Sequence, residues 1–168
     1  ENAGNLRDLV IQNNLTDKVT FFGKVSNEEK TRLLSESWVM VQPSSLEGWG
    51  ITVLEANACK TPVVASDTKG LRDSIVDGKT GILVKVRDVK GFTRTIRKVL
   101  KSPILRNKLS KDAYTWSQKF SWDKSAELFM DHLFESINVQ SSKKFAPSLG
   151  GNTFRRIAIK LAILCQLS

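Results

Sequence analysis

Residues 42 to 65 read QPSSLEGWGITVLEANACKTPVVA, Gln42 to Ala65, and the way this stretch divides decides the fold. Pro43 and the Ser44-Ser45 pair open a loop that carries Glu47 and closes with Gly48-Trp49-Gly50. From Ile51 through Glu55 to Ala58 the pattern turns helical, and Pro62 to Ser66 follows as an apolar run without alternation. Glu55 therefore stands about one and a half turns inside the helix, with Glu47 just before its first turn. The N–H groups of a first helical turn lack acceptors within the helix, and two glycines let a ligand come close to the backbone. Such a turn suits an anion such as a phosphate.

Carboxylates repel phosphate, so two of them beside an anion site make most sense as acceptors for neutral hydroxyl groups attached to the phosphate at both ends. A nucleotide sugar has that layout, with hexose hydroxyls on one side of a diphosphate and ribose hydroxyls on the other. Outward from the stretch, strands are expected at Val19 to Phe22, Trp38 to Gln42, Pro62 to Ser66 and Ile82 to Val84. The unalternating apolar run at 62–66 reads as a strand buried on both faces, which favours a parallel sheet covered by helices. Helices are expected over Asn5 to Asn14, from a capping box at Ser26–Glu29 to about Ser35, and over Leu71 to Val76. Beyond Asp88, expected to cap Val89 to Lys101, the pattern is helix only. Pro103 starts a helix towards Lys119, and Ser121 caps Trp122 to Ile137. Strands alternating with helices, then a helical end, describe an α/β domain of doubly wound, Rossmann-like type with a parallel sheet. A helix feeding straight into the strand at Val19 implies an earlier strand, so the front of the domain is expected to be missing.

EGWGITVLE, Glu47 to Glu55, resembles the Glu-x7-Glu signature of the retaining glycosyltransferases of family 4. The following TPVVAS, GLRDSI and DGKTGILV continue in that family's order and spacing, and the likeness runs from about Leu6 to Ile137. The resemblance implies the C-terminal, nucleotide-sugar-binding half of a GT-B fold, with acceptor binding and a basic pair for the diphosphate supplied by an absent N-terminal half. It implies that Glu47 contacts the donor sugar at the reacting centre and that Glu55 takes the ribose hydroxyls. Gly48, Trp49, Gly50 and Ile51 would offer backbone N–H groups to the sugar and diphosphate, with Thr52 adding a hydroxyl, and Gly23, Lys24 and Val25 match a loop near the base. Relatives retain anomeric configuration by front-face attack in an ion-pair-like transition state, the leaving diphosphate helping to take the acceptor proton. Glu47 is therefore not read as a nucleophile. Lys60 departs from the family, which usually carries glycine there; a left-handed backbone at that point would cost about 1 kcal/mol. The fragment alone is expected to bind donor weakly and to transfer little.

The 168 residues, 40% hydrophobic and 26% charged, suit one globular domain. No run reaches the roughly eighteen apolar residues of a membrane span and no signal peptide opens the chain, so a cytoplasmic origin is expected. Cys59 and Cys165 are read as reduced thiols. With neither an Asp-x-Asp pair nor a His/Cys cluster, no metal and no cofactor is expected. The net charge of +9, from 26 basic and 17 acidic residues, suits a nucleotide, a membrane surface or nucleic acid, or simply a solvated basic exterior. Nucleic acid is disfavoured because no stacking aromatics interleave with the basic residues. Residues 138–153 read as a linker, and FRRIAIKLAILCQL (154–167) as a basic, apolar tail: an interfacial helix on an anionic membrane surface, a packed terminal helix or the start of a span. His132 is read as a surface histidine, and Trp38, Trp116 and Trp122 as packing. The rival readings are a non-catalytic module binding membrane or partner through its basic surface, and a nucleotide-sugar epimerase.

Overall fold

The apolar β-branched runs become three short strands in the computed structural model, which describes residues 2–136. In chain order these residues form α1 (Asn2–Gln12), α2 (Asn27–Glu36), β1 (Met40–Gln42), α3 (Ile51–Ala58), β2 (Val63–Ser66), α4 (Lys69–Ser74) and β3 (Gly81–Val84). Three helices follow: α5 (Val89–Lys101), α6 (Pro103–Ser117) and α7 (Trp122–Ser136). The strands pair in the order β1-β2-β3, all parallel, with Met40 beside Val63 and Val63 beside Gly81. The expected linker, the tail and Cys165 lie outside the described residues.

All four residues of β2 are buried, as a run without alternation predicts for a strand covered on both faces. Val63 and Ala65 point to one side, against Val53 and Ala56 of α3 and Leu71 and Ile75 at α4. Val64 points to the other, with Val84 of β3, Val99 of α5 and Leu109 of α6. Each fully buried aliphatic side chain contributes about 1.5–3 kcal/mol, so β2, feeding both clusters, holds the three layers together. The protein is thus an α/β fold with a parallel sheet and helices on both faces.

The caps fall where the sequence places them. Ser26 Oγ accepts from Glu29 N at 3.2 Å, Asp88 Oδ1 from Gly91 N at 2.9 Å and Ser121 Oγ from Lys124 N at 3.1 Å. The box at Ser26 is only half closed, because the Glu29 carboxylate turns to Arg32 at 2.7 Å.

Several expectations are corrected. Val19 to Phe22 is not a strand: a strand needs a hydrogen-bonding neighbour, none among the described residues runs beside it, and all four side chains are exposed. The sheet therefore has three strands instead of four. The strand expected from Trp38 begins only at Met40, and Trp38 lies outside, with the Arg106 guanidinium 4.5 Å above its ring. Trp122, read as packing, is 69% exposed on α7, where Leu128, Phe129 and Leu133 are exposed too.

Because all strands run the same way, the loops leaving their C-terminal ends gather at one edge of the sheet. The helices that follow begin there. The Pro43–Gly50 loop leaves β1 at this edge.

Candidate functional site

Gln42 ends β1 and anchors the loop that follows. Its side-chain amide nitrogen donates to Ser44 Oγ at 2.8 Å and to Glu47 Oε2 at 3.1 Å, so the half-buried Glu47 carboxylate is held at the C-terminal end of the strand. Gly50 is the N-cap of α3, with φ +77°, and a Cβ there would meet Leu71 and Ser74 at 2.8 and 2.9 Å. Only glycine fits that left-handed, crowded position. Gly70 in α4 lies so close to the carbonyl oxygens of Glu47 and Gly48 that any side chain would displace the loop.

The backbone that results has a consequence for charge. Val53 N and Leu54 N donate to Gly50 O at 2.9 and 3.4 Å, but among the described residues no acceptor takes the N–H of Gly48, Trp49, Gly50, Ile51 or Thr52. Gly48, Trp49, Ile51 and Thr52 are exposed. A run of unpaired donors at the head of a helix, reinforced by the helix dipole, is suited to an anion. The Trp49 ring packs edge-on against Phe120 with centroids 5.1 Å apart, and Phe120 against Trp116 at 5.2 Å. Trp116 Nε1 in turn donates to Ser74 O at 3.0 Å, tying the loop to α4 and α6.

Glu55 lies one and a half turns further on and faces α2, where Lys30 Nζ sits 2.7 Å from its Oε1. Both side chains are about one-third exposed, so the pair is partly open to water. Its charge also bears on Cys59, whose thiol is pushed up first by burial and then by the neighbouring carboxylate. Beyond β2, the Arg72 guanidinium holds the Asp67 carboxyl below the usual carboxylate range.

The structure thus brings Glu47, Gly48, Trp49, Gly50, Ile51 and Thr52 into one turn, with Glu55 on the helix behind it. Gly23, Lys24 and Val25 lie between α1 and α2, Gly23 with φ +65°, and make no hydrogen bond to residues 47–55. Two surface depressions, of about 400 Å³ along α5 and about 140 Å³ beside Trp38 and Lys60, are lined by none of the loop's residues. Sequence reasoning missed Gln42, Lys30, Gly70 and Phe120. A polar residue ending an apolar strand could have singled out Gln42; nothing local marks Lys30, twenty-five residues from its partner.

The sequence profile described as "Glycosyl transferases group 1" matches residues 1–116. The D-inositol 3-phosphate glycosyltransferase of Saccharomonospora viridis is 30% identical over 137 residues, covering 82% of this chain and 32% of that protein. That of Streptomyces avermitilis is 31% identical over 126 residues, 75% of this chain and 27% of the relative. The chain therefore spans about a third of the length of the curated relatives it matches. Among solved structures, the sucrose-phosphate synthase of Thermosynechococcus elongatus is 33% identical with a TM-score of 0.71, covering 79% of this chain and 33% of that one. HepE of Anabaena, solved in complex with UDP-glucose, shares the fold at 19% identity, with a TM-score of 0.66 over 70% of this chain and 32% of its own. With the profile covering more than half its length, the chain belongs to the group 1 glycosyl transferases.

Proposed function

We propose that this chain is the donor-binding, C-terminal part of a retaining, family 4 glycosyltransferase that moves a hexosyl group from a nucleoside diphosphate sugar to an acceptor. The observation that carries the reading is the run of five unpaired N–H groups from Gly48 to Thr52, with a carboxylate at either end. The diphosphate rests on those donors, which stabilise it as it gains charge in leaving. Glu47, held by Gln42, accepts from hexose hydroxyls. Glu55 keeps one oxygen on Lys30 and offers the other to ribose, and the loop at Gly23–Val25 lies towards the base. No metal and no cofactor takes part. As the bond from the anomeric carbon to the diphosphate breaks, the acceptor oxygen bonds that carbon on the same face and its proton passes to the departing diphosphate. Acceptor binding belongs to the rest of the full-length protein.

Calorimetric titration of the chain with UDP, UDP-glucose and GDP-mannose tests this. One nucleotide series should bind. Glu55→Gln should weaken nucleotide and nucleotide sugar alike, by about ten-fold for one lost charged hydrogen bond, whereas Glu47→Gln should weaken only the sugar-bearing form. Equal loss for both ligands in both variants would overturn the division of roles.

A further inference from the structure

The outer face of α5 carries no acidic side chain and five cations. Lys90, Arg94, Arg97 and Lys101 stand at i, i+4, i+7 and i+11, which aligns them in one stripe about 16 Å long, with Lys98 at its margin. Among the described residues none of the five has an ion-pair partner. Like charges at i, i+4 disfavour a helix, so this spacing works against α5's own stability. The stripe is bordered by a second line on the same exposed side: Val89 is 75% exposed, Thr93 follows one turn on, and Leu100 is 38% exposed. The face bounds an open depression of about 400 Å³, lined among the described residues by Val89, Lys90, Thr93, Arg94 and Arg97.

We propose that this face of α5 docks the protein on an anionic phospholipid surface. Cations in line with exposed aliphatic side chains match a layer of phosphate headgroups above acyl chains: the charges meet the headgroups, and Val89 and Leu100 enter the boundary below them. A nucleic-acid strand would match the charge but not the aliphatic line, and no aromatic side chain on this face offers a base a stacking platform, Phe92 being packed inward. No helix among the described residues is long and apolar enough to cross a membrane, so the contact is peripheral. The inference stands independently of the donor site, since none of that site's residues lines this face.

The test is flotation of the full chain with vesicles of phosphatidylcholine containing about one-third phosphatidylserine, and with vesicles of phosphatidylcholine alone. The chain should float only with the anionic vesicles, and added salt should release it. Lys90→Gln, Arg94→Gln, Arg97→Gln and Lys101→Gln combined should lower partitioning about ten-fold or more. An equal charge change elsewhere, Lys18→Gln, Lys108→Gln, Lys111→Gln and Lys124→Gln combined, should lower it far less. Circular dichroism should show both variants folded. Val89→Ser with Leu100→Ser should weaken vesicle binding and leave weak retention on a duplex DNA column unchanged. Equal flotation with neutral vesicles, equal loss in both charge variants, or loss of DNA retention without loss of flotation in the α5 variant would overturn the proposal.

Discussion

Asp67 and Arg72 show how a single contact sets a measurable property. The two side chains meet across the turn between β2 and α4, Arg72 exposed and Asp67 half-buried, and the guanidinium lowers the carboxyl's pKa. A depressed value means that the pair supports the fold above the ordinary carboxylate range, and that this support is lost as pH falls through the lowered value. An NMR titration of the Asp67 carboxyl should therefore find a midpoint below 3.8, and Arg72→Gln should return it there; an unchanged midpoint in the variant would show that the guanidinium is not the cause. At this scale the sequence is uneven as a guide. Lys60 was marked by its departure from glycine, and it does adopt a left-handed backbone, φ +61°. Its ammonium lies 5.0 Å from the Tyr114 ring and its carbonyl accepts from Ser110 Oγ, contacts that offset the roughly 1 kcal/mol of strain. Lys30 gave no such sign, because which residue on α2 faces Glu55 depends on how two helices pack and not on either one's pattern.

Elements were legible where local chemistry and burial agree. The reading of Ile51 to Ala58 as a helix matches α3 in full, since Gly50 before it and the turn at Lys60 after it fix both ends. Val19 to Phe22 shows the opposite case: β-branched and aromatic residues favour a strand, but pairing is supplied by a neighbour and cannot be read from four residues. The loop–α4 contact is a third kind of information, visible only in three dimensions. Because Gly70 abuts the carbonyls of Glu47 and Gly48, Gly70→Ala should push the loop off its place and cost about 1–3 kcal/mol of overpacking. Thermal melting should show a drop of several degrees, about 2–4 °C per kcal/mol for a chain of this size. A variant that melts like the parent would mean that the loop yields freely and that α4 does not hold it.

For the molecule as a whole, parallel strands gather their outgoing loops at one edge, and the group 1 transferase likeness extends over that edge and its helices. The fold class was legible because the unalternating run at β2 and the order of helices and strands leave few ways to build the sheet. The candidate turn was legible because its glycines, its carboxylates and the helix start lie together in nine residues. What brackets it, Gln42 beneath and the Trp49–Phe120–Trp116 stack beside it, comes from parts of the chain that folding brings together. The central claim is that backbone donors at the head of α3 hold a diphosphate between two carboxylates. Amide NMR of the chain titrated with UDP-glucose and GDP-mannose measures it most directly. One of them should shift the amide signals of Gly48, Trp49, Gly50, Ile51 and Thr52 more than those of any other segment; saturating shifts elsewhere with these five amides unmoved would contradict the account.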